Sequence, residues 1–382
     1  MKSKILTIVI LLFISCESDL TNSDTLDFDK LYVTLQGTDK VVILNASTLE
    51  IIEEITIDLM EGMIGETPHY VALDEENGYW FVSAIMTNKI AMYSIDTNEL
   101  IDAISVNEDP AILSINSALK KIYSSRMMIM NMGGMIMGSE TNLVDEISYD
   151  SDGMTLIQSH DSGSPTPHAL SLTDDGVILL TASNTTDFLS KINLISGEVS
   201  SISLDGDIND IPTFPINRLK PLEITDNGEY AFISCTGGEW QDPSSGQYEE
   251  VNGQVHAWNI STLEKISTYD FDVYSRPWHI DSHPYEDKIY IVLSGSSSTD
   301  NSAGLACLSF NGSSFSHEWT TTNSEFDTLH GIAISSDGAY VYVSGRGDGN
   351  IYKFDALTGL LINTINLISS GMTRTGGIAI TQ

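Results

Sequence analysis

The segment HGIAISSDGAYVYVSGRGDGNIYKFDALTGLLINTINL (330–367) reads as four short strands separated by three turns. The first run ends at Asp337-Gly338, a dipeptide whose glycine accepts the positive φ of a tight hairpin turn. Alternating Tyr340 to Val343 supplies a second strand, and IYKFD a third that ends on Asp355. Thr358-Gly359 turns the chain into the fourth. HYVALDEENGYWFVSAIMTNKIAMYSIDTNELIDAISV (69–106) repeats this order, with Asn77-Gly78 in the first turn. Asp175-Gly176 and Asn227-Gly228 mark the same turn elsewhere, and helical periodicity is nearly absent. Four-strand units recurring at a fixed spacing are the signature of a β-propeller.

Full units fall near 68–106, 110–161, 167–204, 220–272, 277–321 and 329–368, which makes six. Residues 30–57 supply three more strands without an inner one, and residues 376–382, GGIAITQ, match an inner strand without the other three. Joined, they form a seventh blade and remove the exposed sheet edge. The expected fold is therefore all-β: a seven-bladed β-propeller over residues 30–382, its ring closed by the C-terminal strand completing the N-terminal blade. YVYVSG and its surroundings resemble the YVTN family of propeller repeats, whose pattern runs roughly P-H-G-I-A-V-S-P-D-G-x-x-V-Y-V-T-N. That resemblance implies the fold and no particular ligand.

Residues 1–16, MKSKILTIVILLFISC, carry Lys2 and Lys4 ahead of an apolar Ile5–Ile14 run, as an export signal does. FISC resembles the lipobox of bacterial lipoproteins, with Phe13 where Leu is usual. The resemblance implies a signal peptide over 1–15, cleavage before Cys16 and lipidation of Cys16. Residues 16–29 are polar and acidic and read as a tether. The expected location is the cell envelope, with the chain a monomer held to the outer membrane through Cys16.

With 53 acidic against 17 basic residues and a net charge of −36, the chain is a poor partner for nucleic acid or anionic headgroups. Cys235 and Cys307 lie in apolar strand-like runs and read as buried thiols, with a disulfide open to them after export. Neither has the CxxCH company of covalent haem.

Antiparallel order within a blade returns the loop between the second and third strands to the face where the inner strand starts, here termed the upper face. His69, His168, His279 and His330 then align just before the inner strands of four blades, and Ala111, Lys220 and Gly376 take that place in the others. The run SSRMMIMNMGGMIMGSETN (124–142) leaves the second strand of the third blade on the same face, carrying Met127, Met128, Met130, Met132, Met135 and Met137. Met60 and Met63 lie in the loop leading to His69. Imidazoles and thioethers together suit soft or borderline metals, copper above all. The candidate ligands are these four histidines and six methionines. Ligating histidines usually have a carboxylate behind them, and none is assignable from the sequence. The bland alternative is histidines that bond neighbouring loops under a methionine-filled lid.

Long loops at 205–220, 237–253 and 294–304 rise on the upper face, where Phe214, Trp240, Tyr248 and Trp278 are candidates to line a pocket or a protein-docking rim. Asp205 to Asp210 alternate carboxylates but lack the closing Glu of a calcium loop, and the turn around Arg346-Gly347-Asp348 reads as turn chemistry. His279, Asp281 and His283 share a strand face, and Ser282 points away from it. No nucleophile elbow, HExxH, Walker loop or dinucleotide fingerprint appears, so a lactonase-like enzyme ranks behind a binding protein or interaction scaffold.

Overall fold

The computed structural model describes residues 28–60, 62, 65–127, 141–206, 211, 216–296, 303–367 and 374–382, with the backbone of 130–132 and 135–137. Seven antiparallel sheets surround one axis as the blades of a β-propeller. Blade 1 joins Lys30–Leu35, Lys40–Asn45 and Ile51–Thr56 to the last strand of the chain, Thr375–Ile380. Leu31 pairs with Ile380, Tyr32 with Ala379 and Val33 with Ile378. Blades 2 to 7 follow in sequence order, their inner strands being Pro68–Asp74, Pro110–Asn116, Pro167–Leu172, Pro221–Asp226, Pro277–Ser282 and Leu329–Ile334.

Burial follows position in the blade. The second strands KLYVTL, YWFVSA, KIYSSR, ILLTAS, YAFISC, KIYIVL and YVYVSG each bury every residue after the first. They are covered on both faces by neighbouring blades, so period-2 alternation gives way to continuous β-branched and aromatic residues. Outer strands such as Ile51–Thr56 and Leu361–Asn366 are mostly exposed. An apolar cluster fills each interface. Tyr32, Trp80 and Val82 lie between blades 1 and 2, and Leu31, Tyr342 and Ile378 between 7 and 1. Cys235 and Cys307 are free and buried in such clusters.

The start of the inner strand repeats around the ring. Thr67, Asp109, Thr166, Lys220, Arg276 and Thr328 have φ between 35° and 58°, the left-handed region. Just beyond, every inner strand carries one extra residue against its partner, a β-bulge. The bulge re-aims the strand, and in four blades its carbonyl accepts from a second-strand hydroxyl of the preceding blade. Thr34 Oγ1 donates to His69 O (3.1 Å), Ser83 Oγ to Ala111 O (2.7 Å), Ser234 Oγ to Trp278 O, and Ser344 Oγ to Gly376 O (2.8 Å).

This register corrects two sequence alignments. Trp278, not His279, occupies the bulge in blade 6, and Leu222, not Lys220, occupies it in blade 5. His279 stands one residue further along, level with Tyr70, Ala169 and Glu223. The insertion at 237–253 is a hairpin, not a loop: Gly238–Gln241 pairs with the start of Tyr248–Asn259.

Candidate functional site

Two rings of residues close on the upper mouth. The inner ring is the bulge position: Gly376, His69, Ala111, His168, Leu222, Trp278 and His330. The outer ring is the first residue after each second strand: Gln36, Ile85, Met127, Asn184, Thr236, Ser294 and Arg346. Each of these donates its backbone N–H to the carbonyl of the residue just before the inner strand of its own blade, as Met127 N does to Asp109 O (2.7 Å) and Arg346 N to Thr328 O (3.0 Å). The rings are thereby locked together by the main chain.

The four histidines converge. Ring centroids are 4.7 Å apart for His279 and His330, 6.0 Å for His69 and His330, and 6.3 Å for His69 and His168. Their exposures are 2%, 1%, 2% and 4% for His69, His168, His279 and His330. Burial drives the imidazoles of His69 and His330 well below the ordinary histidine range and His168 down to about 4, so these three rings are neutral at pH 7.

Each ring but His330 is oriented through Nδ1. His168 Nδ1–H donates to Leu222 O (2.9 Å). His279 Nδ1–H donates to Glu223 Oε2 (2.6 Å), which also accepts from Ile280 N (2.9 Å). Glu223 is the orienting carboxylate that no sequence pattern assigned. His69 Nδ1 meets Gln36 Nε2 at 2.6 Å. His69 Nε2, His168 Nε2 and His330 Nδ1 are buried with no hydrogen-bond partner among the described residues. Three such nitrogens in one place are unusual, because each orphaned polar group costs about 1–3 kcal/mol.

The roof is apolar. Met127 is buried against Ile85, Ala111 and Leu222, and Trp278 packs on this cluster with its ring 5.7 Å from that of His330. Met127 thus joins the histidines at the mouth. Met130–Met132 and Met135–Met137 pair as a hairpin, with Met130 opposite Met137 and Met132 opposite Met135. Their side chains and Met128 lie outside the described residues, as do Met63, Phe214 and most of 205–210. Met60 is 39% exposed and Tyr248 74%, and Trp240 is tied to Ile216 O, so among the described residues of the proposed aromatic lining it is Trp278 that reaches the histidines.

Along the inner strands beyond the histidines lies a cavity of about 330 Å³ bordered by Tyr70, Ser114, Ser171, Glu223, Asp281 and Gln382. Asp281 is pushed up to about 7 by burial and then by Glu223. His283 does not join it, because its Nδ1 caps the turn by accepting from Tyr285 N and Glu286 N.

Metal geometry fits in part. With metal–nitrogen bonds of about 2.0–2.1 Å, two imidazoles on one ion have centroids about 5 Å apart at a tetrahedral angle and about 6.4 Å apart when linear. The His279–His330 pair meets the first value and the two His69 pairs approach the second. Among the described residues no three His, Cys, Asp or Glu side chains are already drawn to one point as they would be around an ion. The rings neighbour one another and need a rotation to converge fully.

No family model matches the chain, and neither does any curated protein. Solved structures do match in fold. A candidate 6-phosphogluconolactonase from Bacteroides fragilis NCTC 9343 superposes with a TM-score of 0.61 at 16% identity, covering 94% of this chain and 99% of its own. A functionally unknown protein from Desulfotomaculum acetoxidans DSM 771 gives 0.63 at 13% identity, covering 92% and 98%. Kuenenia stuttgartiensis hydrazine synthase gives 0.61 at 12%, covering 81% and 90%. At these identities the likeness is one of fold alone.

Proposed function

We propose that this chain is a lipid-anchored, extracytoplasmic propeller of the YVTN repeat type that binds copper at the upper mouth of its channel. The observation that carries the reading is the pair of buried imidazole nitrogens, His168 Nε2 and His330 Nδ1, that have no hydrogen-bond partner among the described residues. A dry pocket normally leaves no such groups, and a coordinated ion removes the penalty. His168, neutral and with its Nδ1 proton engaged, presents an Nε2 lone pair, His279 is held through Nδ1 with its Nε2 left for an ion, and His330 adds a third imidazole. Glu223 behind His279 raises the basicity of that ligand, as carboxylates do at metal-bound histidines. Met127 in the roof supplies the soft character that favours Cu(I), and the rest of the methionine run is its extension. Lipidation at Cys16 would place the pocket in the envelope, where copper is handled outside the cytoplasm.

The test is anaerobic Cu(I) loading followed by desalting against a copper chelator. The wild-type chain retains one equivalent. His279→Ala with His330→Ala lowers retention at least about tenfold, equivalent to roughly 1.4 kcal/mol. Met127→Leu weakens Cu(I) more than Zn(II), because it removes only a thioether. Equal retention by the wild-type and doubly substituted chains would discard the copper assignment.

A second reading is lactone hydrolysis. It is suggested by the candidate 6-phosphogluconolactonase that shares the fold, and rests on the pocket, which offers a lone pair at His168 and a carboxylate at Glu223. Turnover of 6-phosphogluconolactone, abolished by His168→Ala without added metal, would put this reading first.

A further inference from the structure

Arg346 Nη1 donates to Gln36 Oε1. A guanidinium has donors only, so it fixes which end of the Gln36 amide faces it. The amide NH₂ must then face His69, and Gln36 Nε2 donates to His69 Nδ1 (2.6 Å). A neutral His69 that accepts at Nδ1 carries its proton at Nε2. His168 and His279 are the opposite, with the proton on Nδ1. The unpartnered Nε2 of His69 is therefore a buried N–H donor, and the unpartnered Nε2 of His168 is a lone pair.

We infer that His69 is not a fourth metal ligand but the hydrogen-bond donor for a small oxyanion, and that Arg346 sets this role through Gln36. The chemistry of the surroundings agrees. Arg346 interacts electrostatically with both His69 and His330, placing positive potential on this side of the pocket. Among the described residues the carboxylate bonded to the cluster is Glu223, and its bond is to His279 rather than His69. A buried N–H donor beside a guanidinium makes a charge-assisted bond to an anion, and so favours a carboxylate- or formate-sized anion over a cation. The inference concerns the pocket of the copper reading but not its metal, so it is tested on metal-free protein.

The experiment uses ¹⁵N-histidine-labelled full-length chain and formate as the probe. Of the three mouth histidines held through Nδ1, nitrogen shifts should report an Nε2–H tautomer for His69, against Nδ1–H for His168 and His279. Formate should shift the His69 Nε2 resonance saturably. Gln36→Glu keeps the side-chain size and still pairs with Arg346, but its second oxygen can only accept. It should therefore turn His69 to the Nδ1–H tautomer, weaken formate about tenfold or more, and tighten Cu(I) by freeing a fourth lone pair. Gln36→Leu, which removes the relay without inverting it, should weaken formate and leave Cu(I) unchanged. An Nδ1–H tautomer at His69 in the unmodified chain, or equal formate affinity in the unmodified and Gln36→Glu chains, overturns the inference. Loss of copper retention alone does not.

Discussion

At the residue scale the site depends on polar groups held dry. A buried histidine whose folded pKa is depressed binds a proton less readily than in the unfolded chain. Between about 6.5 and 4 the unfolded state therefore takes up more protons, and unfolding free energy falls as pH drops. His168, with a folded value of about 4, supplies up to about 3 kcal/mol of this loss. His69 and His330 add to it. Urea midpoints at pH 7.5 and pH 5 should differ strongly, and His168→Gln should narrow the gap. Asp281 has the opposite sign. Its raised value of about 7 means that the folded state holds the proton longer, so stability falls as pH rises from about 4 to 7. Asp281→Asn should raise stability at pH 8 and leave pH 4 almost unchanged, measured in the same way. The histidines were legible in the sequence because His before an inner strand recurs. Gln36 and Arg346 were not, since their type varies at a position defined only by hydrogen bonding, and Arg346 looked like turn chemistry.

At the element scale, the inner strand of blade 1 is built for close approach. A Cβ on Gly376 would lie 2.5 Å from Thr34 Oγ1 and 2.9 Å from His69 O, the second being main chain that cannot swing aside. Gly376→Ala should cost about 2–3 kcal/mol and disturb the His69 bulge as well. Gly78→Ala has open space around it and only a φ of 81° to resist, so about 1 kcal/mol is expected. Chemical denaturation of both variants gives the comparison. Strand identity was readable throughout, because turn dipeptides and alternating residues are local signals. The bulge was not, and its extra residue slipped the alignment: His279 looked equivalent to His69, yet the hydrogen bond from Ser234 falls on Trp278. The insertion in blade 5 was read as a loop because its Gly238–Gln241 strand is short and polar.

At the scale of the whole molecule, closure was readable because two incomplete pieces at opposite ends of the sequence matched one missing blade. Removal of residues 375–382 should leave Lys30–Leu35 as a raw edge with Leu31, Val33 and Leu35 uncovered, and the protein should elute as aggregate in size-exclusion chromatography. A synthetic 374–382 peptide supplied during refolding should restore the monomer by strand addition. The same seam governs how the chain reaches its native form. Lys30 N bonds Thr381 Oγ1 over a separation of 351 residues, so the longest loop in the molecule must shut before either terminus is ordered. Until then the intermediate is an arc with two sticky ends, open to its counterpart on another chain, and refolding yield should fall as protein concentration rises.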